Sequence, residues 1–467
     1  MWNFDAFGNN VAIIDDSGTR LTYSQLKHET EAIAEAAGKR CLVFVLCSDT
    51  IGSVMGYAAF MNAGIVPLML SRHIEPGLLS PLMDAYRPKY MWLPSDMARG
   101  DEVFSARGYS LVRTSFTEEC PLHPDLALLL TTSGSTGSPK FVRQSYTNIL
   151  DNAKSIAEYL RLDETERPIS TLPMNYTYGL SIINSHFLVG ATLLLTEKAM
   201  TQKEFWQFFR EAGATSFGGV PYTYEMLDRM RFQRMSLPSL RTMTQAGGKI
   251  TPELHRKFAE YARDSGKNFI VMYGQCEASP RMGYLPADKA IEKAGSMGIA
   301  IPGGKFRLIG EDGREIQAPH VTGELEYTGK NVAMGYAECG DDLSKGDEWG
   351  GVLRTGDMAQ FDEDGYFYVV GRKKRFLKVY GNRVNLDELD RLIKGKFPVE
   401  CASAGEDDRV HIFITAGANP DDVRNFAATT TKLNPKAFTV ITLDEIPKSE
   451  SGKTLFTELA KYWRKTE

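Results

Sequence analysis

The stretch from Asp125 to Lys140, DLALLLTTSGSTGSPK, restricts the possible folds more than any other. An apolar run of strand length, Leu126 to Leu130, breaks off into small hydroxylated residues and glycine. Past Pro139-Lys140 the period changes, and Ile149, Ala153, Ile156 and Leu160 recur at spacings of four, three and four. That succession predicts a buried strand, a loop, a short second strand (Phe141, Val142, Arg143) and an amphipathic helix. In the loop, Gly134 and Gly137 let backbone N–H groups turn toward one point. Thr131, Thr132, Ser133, Ser135 and Thr136 add hydroxyl donors, and Lys140 adds a positive charge. A polyanion such as a triphosphate is the ligand that suits this chemistry. The loop is not GxxxxGK[ST], because Pro139 precedes the lysine and Phe141 follows it.

The flanking chain repeats the same alternation. Tyr23–Ala37 has helical periodicity, Cys41–Cys47 is a short apolar run, Ile51–Asn62 is helical up to Gly64, and Ile65–Leu70 is strand-like. Further on, Thr171–Pro173, Ala191–Thr196, Ala214–Val220, Arg241–Ala246 and Asn268–Tyr273 are expected strands. Thr201–Ala212 and Pro252–Ser265 are expected helices between them. Strands alternating with helices predict an α/β fold of mostly parallel sheets covered by helices. From about Gly295 the pattern turns to short strands with Gly, Pro and Asp turns. Glu311-Asp312-Gly313 and Asp362–Gly365 signal hairpins, so a small antiparallel, barrel-like subdomain is expected over 295–371. After the charge cluster GRKKRFLK a new βα pattern begins. The expected division is an N-terminal domain over 1–371, a hinge at 372–375 and a small α+β C-terminal domain over 376–467.

Composition excludes several classes. With 43% hydrophobic and 24% charged residues the chain suits a packed globular protein rather than a disordered one. A net charge of −5, without a basic stripe, argues against a nucleic-acid partner. The six cysteines form no CxxC pair, which fits a reducing cytoplasm and no structural zinc. The start, MWNFDAFGNN, has neither the basic nor the apolar region of a secretion signal, and no apolar run is long enough for a membrane helix.

Four other segments carry chemistry. Tyr273–Glu277, YGQCE, follows a strand. Its aromatic ring suits purine stacking and its carboxylate suits Mg²⁺. Arg354–Asp357, RTGD, offers an aspartate that accepts two hydrogen bonds, as a ribose diol requires. Gly371–Lys374 with Lys378–Gly381 forms a basic cluster beside a glycine. Pro447–Thr454, PKSESGKT, is a polar loop that presents Lys453.

Taken in order, the phosphate-type loop, YGxxE, TGD, GRxK, GxxV and PKSxSGK resemble the signature set of the adenylate-forming superfamily: acyl-CoA synthetases, aryl-CoA ligases, adenylation domains and luciferases. The likeness runs from about Thr22 to Thr454. It implies that Thr132–Lys140 holds the β- and γ-phosphates of ATP and that Glu277 binds Mg²⁺. Tyr273 and Gly274 would flank the adenine, with Gly247 and Gly248 passing between adenine and acyl group. Asp357 would take the ribose hydroxyls with Arg372, and Lys453 would lie between the substrate carboxylate and the α-phosphate. Lys374 falls at the hinge position, and Gly381 leaves room for a pantetheine arm. The activity implied is formation of acyl-AMP with pyrophosphate release, then transfer to the thiol of CoA or of a carrier-protein phosphopantetheine. Cys276 departs from the usual threonine of YGxTE and offers a weaker donor there.

The acyl pocket is expected from TLPMNYTYGLS, with Tyr176, Thr177, Tyr178 and Gly179, together with Gly218, Gly219, Val220, Gln245 and Ala246. No acid stands between Thr171 and Ser185 to pair an α-amino group, so a small or medium aryl or short acyl acid is expected rather than an amino acid. Arg143, Lys373, Lys374 and Arg375 are the basic residues available for the 3′-phosphate of CoA. Amino-acid loading on a carrier protein, a luciferase-like oxygenase and a homologue without catalysis are the alternatives.

Overall fold

The computed structural model describes residues 1–131, 140–380, 382–448 and 454–463. The chain divides into two compact units, Met1–Phe306 with Tyr327–Leu353, and Arg307–Glu326 with Arg354–Glu467.

The first unit is built on an eight-stranded sheet. Its order is Gly335–Ala337, Phe141–Ser145, Leu126–Thr131, Val66–Ser71, Leu42–Cys47, Tyr90–Pro94, Tyr109–Arg113, Asp101–Ala106. The four inner strands from Leu126–Thr131 to Tyr90–Pro94 run parallel, and the outer pairings on both sides are antiparallel. Leu42–Cys47 is buried along its whole length, as a parallel strand covered on both faces should be. The helix Ile51–Ala63 is buried from Ile51 to Met61, which explains its apolar residues on every side.

A second sheet, of five strands, runs Ser216–Gly219, Thr242–Gln245, Asn268–Gly274, Arg281–Tyr284, Ile299–Ala300; the first three are parallel and the rest antiparallel. A three-stranded sheet of Leu193–Leu195, Val11–Asp15 and Arg20–Thr22 completes the unit.

The helix Tyr146–Leu160 begins where its sequence says it should. Ser145 and Asn148 form a reciprocal capping box, and Ile149, Ala153 and Ile156 are buried. Its polar residues have a second use: Asn148 donates to the carbonyls of Lys330 and Val332, and Asn152 to that of Arg281. The helix thereby holds two distant segments in place.

The expected strand Thr171–Pro173 does not form. Isolated bridges stop at Pro168 and Ile169, and the carbonyl of Pro173 instead accepts from the Tyr176 N–H at the start of the helix Thr177–Leu188. Proline has no N–H to give a ladder, and its carbonyl is committed to the turn.

A four-stranded sheet, most of whose residues belong to the second unit, has the order Lys305–Ile309, Gly323–Thr328, Val352–Phe361, Phe367–Arg372, with the last two strands antiparallel across the Asp362–Gly365 turn. At Glu311–Gly313 the chain turns, but the return strand is reduced to a single bridge, Ile309 to Glu315. A two-stranded pair, Phe376–Val379 with Asn382–Asn385, precedes the helix Leu386–Lys396. A three-stranded sheet of Cys401–Glu406, Arg409–Ile414 and Phe438–Thr442 follows. Among the described residues no helix is long and apolar enough to cross a membrane.

Candidate active site

Thr132, Ser133, Gly134, Ser135, Thr136, Gly137, Gly381 and Lys453 lie outside the described residues. Both ends of the phosphate-type loop are in view. The strand Leu126–Thr131 leads into it, and Lys140 leaves it at the head of Phe141–Ser145, with Thr131 and Phe141 paired across the ladder.

Lys140 Nζ stands 3.7 Å from the ring centroid of Tyr336. The hydroxyl of Tyr336 donates to Glu277 Oε1 at 2.8 Å, and Trp349 packs edge-on against the same ring at 4.9 Å. The lysine expected at phosphate and the carboxylate expected at Mg²⁺ therefore share one tyrosine. The backbone fixes the turn that carries the carboxylate: Gln144 Nε2 donates to the carbonyl of Cys276 at 2.9 Å, and the Ala333 N–H to that of Glu277 at 2.9 Å. Cys276 itself is buried in the main core. Among the described residues no group of three or more His, Cys, Asp or Glu is gathered. A lone carboxylate fits Mg²⁺, which completes its shell with phosphate oxygens and water.

Beside this turn, a side chain at Gly274 would meet the Pro280 carbonyl at 2.1 Å, so only glycine fits. Tyr273 packs against Phe306 at 6.2 Å, and Gln275 Nε2 donates to its hydroxyl. Gly247 has φ +82°, and a Cβ there would stand 2.5 Å from the Tyr176 hydroxyl. Gly248 abuts Pro221.

The expected acyl residues gather around the start of the helix Thr177–Leu188. Tyr178 is buried; its hydroxyl bonds Thr244 Oγ1 at 2.8 Å, and Tyr176 meets it edge-on at 6.3 Å. Val220 and Ala246 belong to the same apolar cluster as Tyr178, with Tyr176, Tyr159 and Tyr284 packed against it. Thr177 is half-buried at the first helical position. Gly179 and Gly219 are there for close packing: a Cβ would stand 2.4 Å from the Pro173 carbonyl at the first and 2.9 Å from Thr223 at the second. Strand alternation turns Gln245 away from the face shared by Thr244 and Tyr178. Its amide donates to the carbonyls of Ala246 and Gly248.

Sequence reasoning missed three side chains here. Tyr336 is one. Arg281 is another: it is 3% exposed, with its guanidinium 3.9 Å from the Tyr178 ring centroid. Asn331, the third, donates to the carbonyls of Ala278 and Arg281. None belongs to a local motif.

In the second unit, Arg372 Nε pairs with Asp357 Oδ1 at 2.7 Å across adjacent strands, and the Asp357 side chain is 3% exposed while that of Arg372 is 57% exposed. Lys373 pairs with Glu324, and Arg375 is held by Asp387, Asp390 and the Ser403 carbonyl. Lys374 is exposed.

Arg143 is a correction. Expected as a basic residue for the 3′-phosphate of CoA, it is fully buried. It donates to the carbonyls of Met334, Tyr336, Lys345 and Gly346 and pairs with Glu348. Its charge is spent inside the protein.

Residues 2–337 match the family described as AMP-binding enzyme. The chain is 33% identical to the indoleacetate–CoA ligase of Aromatoleum aromaticum over 70% of this chain and 65% of that protein. It is 28% identical to the oxalate–CoA ligase of Arabidopsis thaliana over 76% of this chain and 71% of that protein. Among solved structures, the O-succinylbenzoate coenzyme A synthetase of Bacillus subtilis in complex with AMP superposes with a TM-score of 0.79 at 20% identity, covering 98% of both chains.

Proposed function

Because the chain belongs to the AMP-binding enzyme family, we propose that it is an AMP-forming acid–CoA ligase acting on a small or medium carboxylic acid. The observation that carries this reading is the Lys140–Tyr336–Glu277 contact at the exit of the phosphate-type loop. The names of the relatives, ligases that join indoleacetate or oxalate to CoA, support it.

A carboxylate attacking the α-phosphorus of ATP meets a dense negative charge. Lys140, Lys453 and the N–H groups of Thr132–Gly137 offset that charge as it grows in the transition state. Bound at Glu277, Mg²⁺ supplies further charge neutralisation at the phosphate oxygens. The new C–O–P bond gives acyl-AMP, and pyrophosphate leaves. Tyr273, Gly274, Gly247 and Gly248 receive the adenine, and Asp357 with Arg372 receives the ribose hydroxyls. In the second half-reaction a thiolate attacks the acyl carbon and AMP leaves. Lys374 serves as the hinge between the two half-reactions and Gly381 as the opening for the pantetheine thiol. CoA is the acceptor proposed first; a carrier-protein phosphopantetheine presents the same thiol.

The test is pyrophosphate release across a panel of carboxylic acids, each with and without CoA and with a phosphopantetheinylated carrier protein. Acid-dependent release, with thioester formed on CoA, is the expected result. Lys453→Ala should impair adenylation far more than transfer from preformed acyl-AMP. If no acid stimulates release, the ligase reading is wrong.

A further inference from the structure

Arg281 stands in an unusual position for a charged side chain. It opens the strand Arg281–Tyr284 and is 3% exposed. Buried arginines are ordinarily paired. Among the described residues, however, no carboxylate lies within ion-pair distance of it, and its Nε–H has no hydrogen-bond partner. Its neighbours are phenols. The guanidinium lies over Tyr178 at 3.9 Å, Tyr176 packs edge-on against Tyr178, and Tyr159 stacks on Tyr284 at 4.3 Å. Burial pushes the hydroxyls of Tyr159 and Tyr176 up to about 12, even against the pull of the Arg281 charge. Neither of these two phenols therefore supplies a counter-charge in the physiological range.

The backbone here is held with unusual care. Asn152 and Asn331 both donate to the Arg281 carbonyl at 2.8 Å, the Arg281 N–H returns a bond to Asn152, and Tyr327 fixes Asn331. A buried guanidinium without an anion costs several kcal/mol, and a fork of N–H donors is shaped for a planar or tetrahedral oxyanion. The cage also coincides with the aromatic cluster of Tyr176, Tyr178 and Val220 that the ligase reading assigns to the acyl group.

From this geometry we infer that Arg281 binds a second anionic group on the substrate, so that the acid activated is a short dianion: a dicarboxylic acid or a sulfonated or phosphonated carboxylic acid. This rests on the acid–CoA ligase reading. The reacting carboxylate goes to the α-phosphate of ATP and the distal anion goes to Arg281. The chain itself limits the length of the molecule. Arg281 follows Glu277 so closely that their Cα atoms can be no more than ~14 Å apart, which excludes a long spacer. The same buried cation repels an α-ammonium group, which sets an amino acid aside.

The test uses the full-length protein and matched pairs of acids: propionate with succinate, acetate with sulfoacetate, butyrate with glutarate. Each is measured as kcat/KM for pyrophosphate release. At least one dianion should exceed its monoanionic partner by about 30-fold or more, the range of a charge-assisted contact. Arg281→Gln should remove that preference, lowering the dianion about 30-fold and the monoanion less than about 3-fold; Arg281→Lys should restore part of it. Thermal-shift stabilisation of the wild-type chain by the preferred dianion, absent with the matched monoanion, checks the same point should Arg281→Gln fold poorly. Monoanions used as well as dianions, or equal losses for both in Arg281→Gln, would overturn the proposal and leave the ligase reading standing. Failure of every acid to release pyrophosphate would overturn both.

Discussion

The ammonium of Lys140 rests 3.7 Å above the ring of Tyr336, whose hydroxyl is at the same time bonded to Glu277. One side chain thus sets the positions of a cation and a carboxylate, the pair to which the proposed function gives the phosphates and Mg²⁺. A cation–π contact that water still reaches is worth only about 0.5–1 kcal/mol, so the ring positions Lys140 without trapping it.

Tyr336→Phe keeps the ring under Lys140 and removes only the bond to Glu277. The Mg²⁺ concentration for half-maximal pyrophosphate release should rise about 10-fold, with the melting temperature nearly unchanged. Tyr336→Ala should add a rise in the KM for ATP, since Lys140 then loses its platform. A Mg²⁺ response identical to wild type in Tyr336→Phe would mean that the tyrosine does not orient the carboxylate.

Cys276 is buried, and on the proposed reading it replaces a hydroxyl donor to phosphate with a weaker thiol. Cys276→Thr supplies a hydroxyl in nearly the same volume. ATP–pyrophosphate exchange should quicken about 3- to 10-fold, the value of one added hydrogen bond. A slower exchange would show that this position is set by packing alone.

Asp49 gives a pH signature. Its carboxylate accepts from the Met174 N–H at 3.2 Å, and burial nonetheless pushes its pKa up to about 7. The folded chain holds this proton more tightly than the unfolded chain, whose value is 3.8, so protonation favours the fold. That contribution is complete below about pH 4 and is lost as pH climbs through about 7. Allowing for the remaining solvent contact of the side chain, it amounts to about 2 kcal/mol. Denaturant midpoints at pH 5 and pH 8 should fall between the two for the wild type, and Asp49→Asn should abolish most of that fall. An equal fall in both proteins would place the titrating group elsewhere.

Arg143→Gln should cost about 3 kcal/mol or more, because the loss leaves several carbonyls and Glu348 without their donor. The KM for CoA of the folded fraction should stay as in wild type. A higher KM for CoA with an unchanged melting temperature would restore the nucleotide role that burial removes.

What the sequence made plain was whatever is written locally. The switch from an apolar run to a four-three-four spacing marked the strand Leu126–Thr131 and the helix Tyr146–Leu160. Glu277 and Asp357 stood out because each closes a short motif. Tyr336 was invisible because its partner Glu277 is 59 residues away and nothing beside it in the chain marks it as functional. Arg281 and Arg143 show the same limit from opposite sides. A sequence displays a charge but not whether water reaches it, so Arg143 passed for a surface residue and Arg281 for nothing in particular. Gly179 and Gly219 look like pocket lining on paper, whereas their carbonyl and side-chain neighbours explain the missing Cβ. The false strand at Thr171–Pro173 failed because backbone groups were promised to a turn.

The strand Gly335–Ala337, which closes one edge of the eight-stranded sheet, also has an order in time. It pairs with Phe141–Ser145, made nearly two hundred residues earlier, and the carbonyls around it saturate Arg143. A ribosome must therefore carry a nascent chain with an open sheet edge and an unmatched interior cation through much of its synthesis. The segment that ends this exposure is the one that delivers Tyr336 to Lys140, so a chain released too early would lack its edge strand and the ring beneath Lys140 together.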